Sequence, residues 1–181
     1  MIKISHTDNI FELHSFLTET ECIEYIRFSE KSGYEIADVQ LQNNRKHLSN
    51  IRNNERYNYF SNELASKFWK RLNSNLFPEL LGQKAINLSP HFRFYKYQNG
   101  QKFNMHKDGR QKFNGNETLF TFLIYLNDNY VGGNTEFRSG NLSIEPKVGS
   151  ALCFEHHEWH KGSAVTSGVK YVLRTDVVYS S

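Results

Sequence analysis

The feature that most constrains this chain lies after residue 88, where four strand-like segments follow one another: HFRFYKY, TLFTFLIYLN, SALCFEH and VKYVLRTDVVY. Each is rich in aromatic and β-branched residues, which suit a pleated, half-buried surface. Turn signals separate them: Gln98-Asn99-Gly100, Asn114-Gly115, Val131-Gly132-Gly133 and Ser139-Gly140-Asn141. No helical pattern intervenes. Strands at this spacing predict an antiparallel barrel or a double-sheet jelly roll.

Before residue 88 the signals are mostly helical. Thr18 opens T-E-T-E, an N-cap with acidic residues in the first turn. Cys22, Ile23, Ile26 and Tyr25 supply an apolar face, and Gly33 a stop. A second helix is expected over Ser61 to Leu72, where Leu64, Ala65, Phe68 and Leu72 recur at helical spacing. The polar stretch QLQNNRKHLSNIRNNERYN between them reads as a loop. The expected fold is mainly β with flanking helices, the two helices covering one outer sheet face.

A chain of 181 residues, with no repeat or Pro/Gly-rich linker, suits one domain spanning 1–181. A net charge of +3, with scattered Lys and Arg, does not suggest a nucleic-acid partner. No apolar run reaches the ~20 residues that span a bilayer, so no membrane partner is expected. The first residues, MIKISHTDNIFELHSF, lack a signal-peptide apolar core. Cys22 and Cys153 fit no metal spacing and read as reduced and buried, which implies a cytoplasmic setting.

Alternation separates two faces on the last strand. Val169, Tyr171, Leu173, Thr175, Val177 and Tyr179 look like core, whereas Lys170, Val172, Arg174, Asp176 and Val178 put three charges on the other face. From Thr118 to Asn127, Phe120, Phe122, Ile124 and Leu126 oppose Thr121, Leu123 and Tyr125. Solvent facing would explain either strand alone. Both together fit a jelly roll with a polar, cationic cavity suited to a small dicarboxylate.

His106-Lys107-Asp108 sets an imidazole and a carboxylate at i and i+2, on one side of an extended segment. Gly109 then lets the chain turn. His156, His157 and His160 are candidates for a third ligand. Two histidines and one carboxylate leave open positions on an octahedral metal, the facial triad of non-haem iron(II) oxygenases.

From Arg93 to Tyr179 the sequence resembles the prolyl 4-hydroxylase-like branch of the 2-oxoglutarate/iron(II) oxygenase superfamily. The resemblance rests on RFYKYQNGQKFNMHKDG, YLNDNYVGGNTEF, IEPKVGSALCF and HKGSAVTSGVKYVLRTDVVY, four blocks in the family's order. It implies a double-stranded β-helix (jelly-roll, cupin-like) core over 89–181, with 1–88 as helical support. It implies Fe(II) held by His106, Asp108 and His160, and 2-oxoglutarate as co-substrate with dioxygen, with ascorbate as a possible addition. Lys170 matches the basic residue that pairs with the far carboxylate of 2-oxoglutarate, and Tyr125 its hydroxyl donor. Arg174, on the same face, is the alternative anchor or a substrate contact. Thr121 is a further candidate for the co-substrate pocket.

The implied activity is hydroxylation of an unactivated C–H bond, with a prolyl residue of a peptide or protein, or a free amino acid, as substrate. Arg52, Arg56 and Tyr97 are candidate substrate contacts. Trp159, His91 and His47 read as packing or surface residues. A cupin-like metal enzyme without 2-oxoglutarate would keep the triad but not need Lys170 or Tyr125. A non-catalytic jelly-roll binding module would need none of them.

Overall fold

The computed structural model describes residues 1–37, 39–41, 44–46 and 53–180. Strands β1 (Ile2–Thr7) and β2 (Ile10–His14) precede helix α1 (Glu19–Ser32). Then come β3 (Glu35–Ile36), β4 (Val39–Leu41), β5 (Asn44–Lys46) and β6 (Glu55–Phe60). Helix α2 (Asn62–Trp69) leads to β7 (Ala85–Leu88), β8 (His91–Tyr97), β9 (Phe103–His106), β10 (Lys112–Phe113) and β11 (Asn116–Tyr125). The remaining strands are β12 (Val131–Gly132), β13 (Thr135–Phe137), β14 (Ser143–Ile144), β15 (Ala151–Glu155), β16 (His160–Gly162), β17 (Val165–Ser167) and β18 (Lys170–Tyr179).

Two antiparallel sheets form a double-stranded β-helix. The major sheet runs β1-β2-β15-β11-β18-β8-β6-β3, with β10 paired to β11 and β7 to β18. The minor sheet runs β14-β13-β16-β9. The long strands β11 and β18 sit side by side at the centre, so their alternation decides which residues face each layer. Phe120, Phe122, Ile124 and Leu173 join Leu64, Ala65 and Phe68 of α2 in one apolar core. Tyr125, Val172 and Tyr95 join Phe137, Ile144 and Phe154 in a second, between the sheets. Burying each large side chain contributes roughly 1.5–3 kcal/mol. A one-residue slip of β11 would exchange its two faces, so the register is strongly specified.

Helix α1 starts as its sequence dictates. Thr18 accepts a hydrogen bond from the Glu21 N–H at 3.2 Å, and the Glu21 carboxylate accepts from the Thr18 N–H at 3.1 Å. It ends at Gly33, whose φ of 85° lies in the glycine-favoured region. Helix α2 stops at Trp69, short of Leu72, because the chain tightens into three-residue turns: the N–H groups of Arg71 and Leu72 bond the carbonyls of Phe68 and Trp69.

The segment before residue 89 is less helical than expected. It contributes α1 and α2, but also a β1–β2 hairpin whose β2 pairs with β15. Pairing on an existing sheet edge overrides a weak local signal there. The polar stretch read as a loop also ends in a strand, because ERYNYF pairs along β8, and Tyr57 and Tyr59 pack towards the helices. Its flanking polar residues hid that alternation. Cys22 and Cys153 are free and buried. Among the described residues no helix is long and apolar enough to cross a membrane.

Candidate metal centre

His106 closes β9, and His160 opens β16. The two are register partners, so their side chains emerge on the same face with ring centroids 4.2 Å apart. Asp108 follows two residues later, its N–H bonded to the His156 carbonyl at 3.1 Å. Gly109 does not take the left-handed conformation, so the turn there makes no special demand for glycine.

Each imidazole is oriented from behind. Nδ1 of His106 donates to the Asn104 carbonyl at 2.8 Å, and Nδ1 of His160 to the Glu158 carbonyl at 3.0 Å. That fixes the tautomer and leaves both Nε2 lone pairs for a ligand. Nε2 of His106 lies 3.7 Å from Asp108 Oδ1, and Nε2 of His160 lies 3.7 Å from Asp108 Oδ2. All three donor atoms fall within 4.8 Å of one another. A metal about 2.1 Å from each donor needs neighbouring donors about 3 Å apart, so a small convergence closes the site.

Burial pushes the His106 imidazolium down to about 3, helped by neighbouring His160, and burial also lowers His160. Both rings are therefore neutral and metal-ready. Burial opposes ionisation of Asp108, but the Arg174 guanidinium outweighs it and holds the carboxyl below its ordinary range. Phe103 stacks on His106 at 3.6 Å between centroids, and Phe154 lies 4.5 Å from His160, which limits water at the donors.

A cavity extends from these ligands to Lys170, walled by Tyr95, Tyr97, Thr135 and Val172. Cross-strand register explains the lining: Tyr97 sits opposite Lys170, Tyr95 opposite Val172, and Val172 opposite Tyr125. Lys170 is 4% exposed, and its Nζ donates to the Gly133 carbonyl at 2.6 Å. No carboxylate pairs with it among the described residues, and burial pushes its ammonium down to about 7. Its Nζ lies 5.3 Å from the Tyr125 ring, and the Tyr125 hydroxyl bonds Thr135 Oγ1 at 2.8 Å. Thr135 was missed in the sequence, although it is the threonine of the G-G-x-T block.

Arg174 lines the cavity and bonds Asp108, and Thr121, fully buried beside it, bonds the same carboxylate. Arg174 Nη1 donates to Asp108 Oδ1 at 2.8 Å, and Nη2 donates to Asp176 Oδ1 at 3.0 Å and Thr121 Oγ1 at 3.3 Å. Thr121 Oγ1 donates to Asp108 Oδ2 at 2.5 Å. Both terminal nitrogens of Arg174 are thus engaged within the chain, and Thr121 serves the carboxylate ligand. Tyr97, read from the sequence as a candidate substrate contact, lines the cavity. Arg56 lies on strand β6, not a loop, opposite Tyr95 and therefore on the cavity face of the sheet. Arg52 and His47 lie outside the described residues. His156 is buried behind Asp108 with Nε2 3.4 Å from Asp176, and His157 is exposed beside Glu155. Trp159 is 39% exposed, covered by Lys107 and Arg138 and not by the core.

Residues 92–175 match the family model described as the 2OG-Fe(II) oxygenase superfamily. A "Putative prolyl 4-hydroxylase" of Acanthamoeba polyphaga mimivirus is 35% identical over 68 residues, covering 32% of this chain and 28% of that protein. The match therefore spans under a third of that relative's length. The viral collagen prolyl hydroxylase of Paramecium Bursaria Chlorella virus-1, solved as a 2OG complex, shares the fold at a TM-score of 0.68 and 21% identity, over 94% of this chain and 96% of that one. A Trichoplax adhaerens prolyl hydroxylase, in complex with a hypoxia inducible factor oxygen degradation domain peptide fragment, gives 0.72 at 18% identity, over 94% and 84%.

Proposed function

We propose, for a chain whose residues 92–175 are a 2-oxoglutarate/Fe(II) oxygenase domain, that it hydroxylates an unactivated C–H bond of a prolyl residue in a peptide or protein. His106, Asp108 and His160 would hold the iron. Lys170 and Tyr125 would seat the far carboxylate of 2-oxoglutarate. The observation that carries this reading is that one cavity is lined both by a His-Asp-His cluster and by a buried lysine with no carboxylate partner among the described residues.

Iron(II), 2-oxoglutarate and dioxygen supply the oxidising chemistry, giving succinate, carbon dioxide and a hydroxylated product. The protein's own residues do the rest. The two Nδ1–H bonds aim both imidazoles. Lys170 would offer charge to the far carboxylate of 2-oxoglutarate, a pairing that contributes about 1.5–3 kcal/mol. The Tyr125 hydroxyl, bonded to Thr135 Oγ1, would turn to the same carboxylate. Phe103, Phe154 and Val172 keep water from the reacting groups. Tyr97 and Arg56 are the proposed substrate contacts on the major-sheet side.

A peptide substrate is favoured because a structurally similar prolyl hydroxylase is seen with a peptide fragment. The chain is proposed to act as a single domain over 1–181. Two free, buried cysteines favour the cytoplasm as its compartment. The test is succinate release by anaerobically iron-loaded protein on admission of air, with a panel of prolyl peptides and free amino acids. Iron-dependent release stimulated by a prolyl peptide supports the proposal. Release stimulated only by free amino acids, or none at all, rejects it.

A further inference from the structure

We infer that Arg174 and Thr121 are positioning residues that hold the Asp108 carboxylate ready for the metal, and that Asp176 and Arg93 hold Arg174 in turn. This inference rests on the metal site proposed above. Its basis is a closed ring of hydrogen bonds around a single carboxylate. Arg174 Nη1 donates to Oδ1, Nη2 donates to the Thr121 hydroxyl, and that hydroxyl donates to Oδ2. One guanidinium therefore grips both oxygens, one directly and one through Thr121. The plane of the carboxylate is fixed, and each oxygen faces one imidazole.

The grip is itself anchored. Asp176, 0% exposed, receives Arg174 Nη2 on Oδ1 and Arg93 Nη1 on Oδ2, both at 3.0 Å. Cross-strand register makes this possible, because Arg174 lies opposite Arg93 on β8 and Leu123 on β11, and Thr121 lies two residues from Leu123 on the same face. The charges alternate along the row from Arg93 through Asp176 and Arg174 to Asp108, so each buried ion has an opposite neighbour. A planar fork with fixed donors can bridge Asp108, Thr121 and Asp176 together, whereas a lysine ammonium cannot reproduce that geometry. Metal ligands held by such outer hydrogen bonds typically lose 10–100-fold in metal affinity when the support is removed.

The experiment is calorimetric titration of Mn(II), alone, into metal-free protein, with thermal melting of each variant. Thr121→Val is close to isosteric and keeps the β-branched fit in β11; Thr121→Ser keeps the hydroxyl; Arg174→Lys keeps the charge. Mn(II) should bind about 10–100-fold more weakly to Thr121→Val and Arg174→Lys, while Thr121→Ser stays within about threefold of wild type. With metal saturating, the KM for 2-oxoglutarate in Thr121→Val should be unchanged, a split that a general loss of structure would not produce. Wild-type affinity in folded Thr121→Val overturns the inference and leaves the proposed function standing. Failure of the wild-type protein to bind Mn(II) overturns both.

Discussion

His106 and His160 face each other as register partners across β9 and β16, their ring centroids 4.2 Å apart, with Asp108 reaching both Nε2 atoms at 3.7 Å. Two neutral imidazoles held this close by backbone pairing gain little from each other and are positioned to share an ion. His106→Ala is expected to lower metal affinity by at least about 100-fold and to abolish turnover. Equilibrium dialysis against Fe(II) under nitrogen checks the first effect, and succinate assay the second. Retained iron-dependent turnover would reject His106 as a ligand.

If Lys170 seats 2-oxoglutarate as proposed, its loss should affect the co-substrate and not the metal. Lys170→Ala should raise the KM for 2-oxoglutarate about 10–100-fold, the equivalent of losing a buried charge-assisted contact, with Mn(II) affinity unchanged. The ammonium titrates at about 7 in the ligand-free protein, and only its charged form pairs with a carboxylate. Affinity for 2-oxoglutarate should therefore be flat below pH 7 and fall as pH rises above it, with that dependence gone in Lys170→Ala. Direct binding measurements from pH 6 to 9 would show it.

Gly149 is a stability prediction remote from the site. Its φ is 74°, and an added Cβ would lie 2.2 Å from the Leu17 carbonyl oxygen. The backbone cannot easily move aside, because the Gly149 carbonyl accepts the N–H groups of Phe16 and Leu17, both at 3.0 Å. Gly149→Ala should destabilise the fold by more than about 2 kcal/mol, read from urea unfolding. A neutral result would mean that the turn between β14 and β15 relaxes.

Glu21 sets part of the acid stability. Its hydrogen bond with Arg71 holds the carboxyl down to about 2, against an ordinary 4.5. A depressed carboxyl stabilises the fold above the unfolded value and loses that contribution as pH falls towards the folded one. Wild type should exceed Glu21→Gln by about 1 kcal/mol at pH 6, the modest figure suited to a solvent-screened pair, and the gap should close between pH 4.5 and 2. Melting curves across that range decide it.

Much of the site was legible because strand alternation is local. His106 and Asp108 at i and i+2, and Lys170 and Arg174 on the even face of β18, need no knowledge of partners. That Arg174 bonds Asp108 while Lys170 bonds the Gly133 carbonyl was not legible. It depends on which strands flank β18 and at what register: Arg93 beside Arg174, and Tyr97 beside Lys170. Thr135 was missed for the same reason, since its hydrogen bond with Tyr125 joins strands of different sheets. The hairpin β1–β2 and strand β6 were hidden because sheet edges supplied by β15 and β8, many residues away, stabilise them. Trp159, read as a packing residue, is 39% exposed and packs under two cations, Lys107 and Arg138.

The most direct test of the central claim is the visible absorption spectrum of Fe(II)-loaded protein, recorded anaerobically as 2-oxoglutarate is added. A new charge-transfer band is predicted in the wild type. It should be absent in His160→Ala and require far more 2-oxoglutarate in Lys170→Ala. A wild-type spectrum unchanged by saturating 2-oxoglutarate would contradict the account.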